Sequence, residues 1–387
     1  MDIQRRILAE LSDLESRAQL RHLETAKGVD FSSNDYLGLS TNTEVKRAIL
    51  KSVKSDVRLG STGSRLLSGH DEAWTDLEQD FARWVGTEAA LYFTSGYAAN
   101  TGLLTAILQS DDVVFSDSAN HASLIDGIRL AKCRRVIFPH LNLDFLEDQL
   151  RRSEGTSGAR VIVVESLFSM QGDLAPLSDL AVIAGHYGAE LIVDEAHAIG
   201  VRGPQGRGLV AQAGLSERVL ATVQTCGKAL GAAGAFVCGS ENLRRFLINR
   251  ARTFIFSTAL PPYFAAQLAA CVQLAAAADA ERAHLAELSA CLRRELRSNG
   301  FYISGTESQI IPVILGSNEA AVFFAEELRA RGLGVRAIRP PTVPAGSARL
   351  RLALTAKHTK ENLAAVVAAM VQVRSEYSAR SAVSASQ

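Results

Sequence analysis

The chain has 387 residues, 41 Lys and Arg against 41 Asp and Glu, a formal net charge of +0, and 47% hydrophobic to 21% charged residues. That length suggests two or three domains at roughly 150 residues each, and the mix is that of a folded globular chain, not a disordered one. A cancelled charge lacks the basic surplus expected for nucleic acid or for an anionic membrane, so neither partner is anticipated.

In chain order, residues 1–20 read as an amphipathic, charged helix with no signal-peptide character. From residue 89 short β-rich runs alternate with helical segments. The strand candidates are 89–93, 113–115, 135–138, 161–164, 191–193, 220–223 and 235–238, apolar on both faces as in a helix-covered parallel sheet. Between most of them lie helical segments at 98–108, 122–131, 143–152 and 177–187. Pro261-Pro262 opens an apolar helix over 263–278 that reads as buried, because Gln267 and Gln273 interrupt it. A charged helix then runs to about Ser298. Strands at 301–304, 310–315, 335–338 and 349–354 follow, with helices at 319–331 and 360–377. The Ser/Ala-rich end, 378–387, reads as frayed. The pattern is α/β, with an N-terminal helix and arm (1–45), a large domain (46–283) and a small α+β domain (284–387). Five cysteines, Cys133, Cys226, Cys238, Cys271 and Cys291, show no C-x-x-C spacing. Neither a disulfide framework nor a metal site is indicated, and a reducing cytoplasm is the simplest setting.

The strongest local signal is Asp194-Glu195-Ala196-His197 at the carboxyl end of an apolar run, where open parallel sheets bind ligands. As a helicase-type ATPase box it needs an upstream phosphate loop. The forward Gly-Lys pair, Gly227-Lys228, lies downstream, with Thr222 in place of the first glycine and Ala229 after the lysine, which disfavours that reading. The other reading joins Asp194 to Lys228, a lysine among small residues after a β-type run and so a Schiff-base candidate. Pyridoxal phosphate (PLP) needs such a lysine, an acid for its ring nitrogen and a phosphate cradle. Thr94-Ser95-Gly96-Tyr97 ends a strand and opens a helix, where a dianion is favoured. His121 by itself reads as a helix N-cap, and Arg351 as a solvated strand arginine.

Phe31-Ser32-Ser33-Asn34-Asp35-Tyr36-Leu37-Gly38-Leu39, with segments 60–69, 94–100, 121–123, 194–208, 225–231, 254–262 and 340–358, resembles the α-oxoamine synthases over nearly the whole chain. The resemblance implies a fold-type I PLP-dependent transferase, with a large three-layer domain around a mostly parallel sheet and a small C-terminal α+β domain. It makes Lys228 the Schiff-base lysine, Asp194 the partner of the ring nitrogen, and His197 a donor to the ring phenolate. His121 would stack on the ring and position the acyl group, with Ser169 near the ring. Backbone at Gly96 and Tyr97, with Thr225, would hold the phosphate. Ser257 and Thr258 would reach a phosphate in the partner subunit of a homodimer whose site lies at the interface. Arg351 would bind the amino-acid carboxylate, and Arg21, Asn34 and Thr342 would line the acyl entrance. The connection between Arg21 and Phe31 is shorter than in many members, and Ile199 and Cys226 also depart from the pattern.

The implied activity is a PLP-dependent, decarboxylating C-acyl transfer. Pro341-Thr342-Val343-Pro344-Ala345-Gly346 points to the biotin-pathway member that joins L-alanine to a pimeloyl thioester, carried by CoA or an acyl carrier protein. A sister enzyme joining glycine to acetyl-CoA or succinyl-CoA and an aminotransferase remain open alternatives.

Overall fold

Short apolar runs alternating with helix-length segments bury both faces of a sheet under helices, and this chain does so between residues 89 and 239. The computed structural model describes residues 2–385 except Glu24, Ala26, Asp56 and Thr306. Its strands, in chain order, are β1 (Val29–Asp30), β2 (Ala89–Phe93), β3 (Val113–Asp117), β4 (Arg134–Phe138), β5 (Arg160–Glu165) and β6 (Glu190–Asp194). They continue with β7 (Ala221–Thr225), β8 (Ala235–Gly239), β9 (Ile310–Gly316), β10 (Leu333–Gly334), β11 (Arg336–Ile338) and β12 (Ala348–Ala353). The described chain divides into two compact units: Asp35–Ser169 with Leu174–Arg282, and Met1–Asn34 with Met170–Asp173 and Ala283–Gln387.

In the larger unit seven strands are ordered β2-β8-β7-β6-β5-β3-β4. Strands β7, β6, β5, β3 and β4 are parallel, while β8 runs antiparallel to both β7 and β2. From β3 the chain winds outward to the edge at β4, then returns past β3 to β5, β6 and β7. Winding therefore reverses between β3 and β5, and ligand sites of open α/β sheets form at the carboxyl ends beside such a reversal. Leu91, Phe93, Val114, Val163, Ile192 and Val223 of the sheet pack with Leu103, Leu104, Leu124 and Ile128 from helices Gly96–Ile107 and Ala122–Ala131. The expectation of burial on both faces fails at β4, which exposes Arg134, Arg135 and Ile137. It is the edge strand, and charged side chains there discourage pairing with another chain.

In the smaller unit β11, β12 and β9 form an antiparallel sheet with β12 central, and β1 pairs with β10. Helix Asn318–Ala330 starts at Ser317, whose hydroxyl accepts from the Ala320 N–H at 3.1 Å. Two expectations are corrected here. Segment 301–304 makes a single bridge, Ile303 to Val313, because Gly300 and Gly305 on either side take the left-handed conformation and turn the chain away. The end of the chain continues as one helix, Lys360–Ala385. Its Ala, Glu and Arg content favours helix, and it is fastened by Tyr377 against Phe323 (5.3 Å between ring centroids) and by Glu376 accepting from Arg331 at 2.7 Å. The last two residues of the predicted frayed end, Ser386 and Gln387, lie outside the described residues. No described helix is long and apolar enough to cross a membrane.

Candidate active site

Strand β6 delivers Asp194 at its carboxyl end, where the side chain is 4% exposed. A buried carboxylate needs donors, and Asp194 has two: Asn100 Nδ2 at 2.7 Å and the Ala196 N–H at 2.8 Å. Asn100, on the inner face of helix Gly96–Ile107, also donates to Ser123 Oγ at 2.9 Å. Ser123 Oγ in turn meets His121 Nδ1 at 2.8 Å. A polar chain thus runs Asp194–Asn100–Ser123–His121 across two helices.

His121 is the N-cap of helix Ala122–Ala131, its Nδ1 accepting from the Ser123 N–H at 3.3 Å. The plain capping reading is therefore correct as geometry, and it fixes the ring by its Nδ1 edge. Packing around the ring pushes the His121 pKa down, with Lys228 acting the same way and Asp194 opposing. Lys228 and Asp194 also act on Glu165, buried at the end of β5, in opposite directions: Asp194 pushes its pKa up and Lys228 pulls it down. Lys228 sits in the loop between β7 and β8, a loop tied at its base by the Cys226 N–H to Gly234 (2.9 Å) and the Ala232 N–H to Cys226 (2.9 Å). Ser169 is buried, and its N–H donates to Glu165 Oε2 at 3.2 Å. His197 is buried with Nδ1 2.6 Å from Tyr36 Oη. When that phenol donates, the imidazole proton rests on Nε2.

The start of helix Gly96–Ile107 offers backbone donors. Ser95 Oγ takes the Ala98 N–H at 3.0 Å and the Ser95 carbonyl takes the Ala99 N–H, leaving the N–H groups of Gly96 and Tyr97 as the donors of the first turn. A Cβ at position 96 would lie 2.6 Å from Thr225 Cγ2, so glycine is what allows helix start and β7 end to approach. The Tyr97 phenol is exposed and donates to Asp126, which pushes its pKa up. Ser257 lines a cavity of about 20 Å³ with Arg65, Trp74 and Thr253, and Thr258 is exposed. No hydrogen bond among the described residues ties either to the Asp194 group.

In the smaller unit four predicted residues meet as two pairs. Arg351, on the central strand β12, is 6% exposed and donates from Nη2 to Asn34 Oδ1 at 3.1 Å. The solvated reading of Arg351 is thereby corrected: it is buried, on the middle strand of its sheet. Arg21 donates from Nη2 to Thr342 Oγ1 at 3.2 Å and lines a cavity of about 260 Å³ with Glu326, Arg336 and Arg339.

Sequence reasoning passed over Asn100, Ser123, Tyr36 and Glu165. Asn100 and Ser123 close segments that resemble the family, Tyr36 lies within another, and Glu165 is a carboxylate ending an apolar strand.

The family model "Aminotransferase class I and II" matches residues 26–370. An 8-amino-7-oxononanoate synthase of Geobacter sulfurreducens is 42% identical, covering 96% of this chain and 98% of the relative. Among solved structures, a serine palmitoyltransferase variant from S. paucimobilis with a bound PLP–myriocin adduct superposes with a TM-score of 0.89 at 27% identity, covering 96% of this chain and 98% of that one. The crystal structure of 8-amino-7-oxononanoate synthase from Francisella tularensis gives 0.78 at 29%, covering 90% and 99%.

Proposed function

The chain belongs to the class I and II aminotransferase family and, within it, to the 8-amino-7-oxononanoate synthases of the α-oxoamine group; from that membership we propose that it joins L-alanine to a pimeloyl thioester, with loss of CO₂, to give 8-amino-7-oxononanoate. It is a PLP-dependent, decarboxylating acyltransferase, as are the relatives it matches. The observation that carries the reading is the hydrogen-bonded chain from Asp194 through Asn100 and Ser123 to His121 at the carboxyl edge of the sheet.

The residues fit PLP. The close approach at Gly96 leaves two backbone donors and the Thr225 hydroxyl at a helix start, a setting for a phosphate dianion. When bound, PLP supplies an electron sink for the negative charge that develops at the amino-acid Cα. Lys228 Nζ anchors the cofactor and, once released, takes the Cα proton and later returns one. Asp194, its oxygens held by Asn100 and Ala196, keeps a proton on the ring nitrogen. His197 donates from Nε2 to the ring oxygen, its tautomer set by Tyr36. His121, fixed by Ser123, stacks on the ring and orients the thioester carbonyl. Ser169 lies beside the ring, while Ser257 and Thr258 serve the phosphate of a partner subunit in a homodimer. Arg351 takes the alanine carboxylate, with Asn34 orienting its guanidinium. Arg21 and Thr342 meet the acyl substrate. The carrier is CoA or an acyl carrier protein, and the setting is the cytoplasm.

The deciding experiment is turnover of the PLP-loaded protein with L-alanine and pimeloyl-CoA, against glycine with acetyl-CoA. Product and CO₂ from the first pair support the reading; faster turnover of the second would reassign the chain to a sister activity. Arg351→Ala is expected to raise KM for alanine by about tenfold to a hundredfold, the worth of a charged hydrogen bond, with kcat changed far less. An unchanged KM would remove Arg351 from the carboxylate site.

A further inference from the structure

Glu165 closes β5 directly opposite Asp194 on β6. Parallel strands in register point paired side chains to the same face, so two carboxyl groups lie side by side at the carboxyl edge of the sheet. Their surroundings differ. Asp194 accepts from Asn100 Nδ2 and the Ala196 N–H. Glu165 is 2% exposed, and its Oε2 accepts from the Ser169 N–H at 3.2 Å. The His121 backbone lies close enough to favour its charged form. Its Oε1 has no hydrogen-bond partner among the described residues. A charged oxygen buried without a donor is strongly disfavoured, whereas a protonated carboxyl tolerates that position.

We propose that Glu165 is a positioning residue that works as a neutral acid: it ties the loop carrying Ser169 to β5, while leaving Asp194 as the carboxylate charge at the ring nitrogen. This rests on the reading of the site as a PLP site. The electrostatics agree. Burial first and the neighbouring Asp194 second push the Glu165 pKa up to about 8, against the Lys228 amine and the Ser169 and His121 backbones. The charged groups facing it are Asp194 from β6 and Lys228 from the β7–β8 loop; from the helix start it is the His121 backbone, not the ring, that acts on it.

The test is equilibrium dialysis of the holoenzyme against graded PLP, from about pH 6 to pH 9.5, for wild type, Glu165→Gln and Glu165→Ala. The amide copies the shape of the neutral acid, so near pH 7 the glutamine variant should hold PLP within about threefold of wild type. Alanine removes the tie and should weaken PLP at least about tenfold, on the scale of a lost hydrogen bond. Above pH 8 the wild type gains a second carboxylate beside an anionic cofactor, so its affinity should fall by about threefold or more relative to the glutamine variant. Alanine binding PLP like wild type overturns the positioning role. A glutamine variant as weak as alanine, or curves that stay parallel to pH 9.5, overturns the neutral state, as does a wild type that tightens relative to glutamine. Should alanine fail to fold by circular dichroism, the glutamine comparison still decides. Loss of PLP by the wild type itself would bring down the reading of the whole site; retained wild-type cofactor with an unaffected alanine variant brings down only Glu165.

Discussion

Lys228→Ala should abolish the visible absorption of lysine-linked PLP and lower kcat by about a thousandfold or more. The size follows from its two duties. A positioned general base contributes roughly 10²–10⁴ in rate, and the covalent anchor is lost in the same change. No neighbour can stand in for it: His121 is held at Nδ1 by Ser123, and Glu165 carries its hydrogen bonds inward to Ser169. The loop is closed by backbone bonds at Cys226, Gly231 and Ala232, and the Gly231 N–H bonds the Lys228 carbonyl, not its side chain. The variant should therefore fold normally and bind PLP only non-covalently. A small primary amine added to the assay should restore part of the proton transfer. Turnover within tenfold of wild type would remove Lys228 from the chemistry.

Asp194→Asn should cost about 10²–10³ in kcat, the scale of losing one aligned electrostatic contact to developing charge. An amide offers one acceptor where the carboxylate offers two. The Asn100 and Ala196 donors both need an acceptor, so the variant either strands one of them or turns its own NH₂ toward it. In neither arrangement does it stabilise a protonated ring nitrogen. The reading that separates this from mere damage is exchange of the alanine Cα hydrogen in D₂O without acyl donor, followed by NMR. Exchange should collapse with kcat while alanine affinity stays within a few fold. Exchange at the wild-type rate would show that Asp194 does not govern carbanion formation.

Much of the fold could be read from residue pattern, because strands buried on both faces leave a plain signal. Helices 122–131, 143–152 and 177–187 were bounded correctly by His121, Asn142 and Gly188, residues that cap or stop a helix for local reasons. Helices Thr43–Lys54, Glu72–Val85 and Glu241–Arg250 carried the same kind of cap in Asn42, Asp71 and Ser240, but the strand alternation drew the reading elsewhere. Pairing of β1 with β10 had no local signal at all, since two residues carry no periodicity. In the site, Asp194, His197 and Lys228 stood out by type and by their place after apolar runs. The Asn100–Ser123 link did not, because a polar residue on the inner face of a helix acquires its meaning only when a partner from another helix meets it. Glu165 was hidden for a related reason: its role depends on the strand that lies beside it, and neighbours in a sheet are not neighbours in sequence.

The pairing of Val29 with Leu333 and of Asp30 with Gly334 bears on how the chain is born. At about 5–20 residues per second, β10 leaves the ribosome roughly 15–60 s after β1. During that interval all seven strands of the large sheet have emerged, and their unit can close on contacts entirely its own. Strand β1 meanwhile waits without its partner strand. Synthesis thus completes the lysine-bearing unit before the arginine-bearing one, and β1 pairs with a strand made some three hundred residues after it.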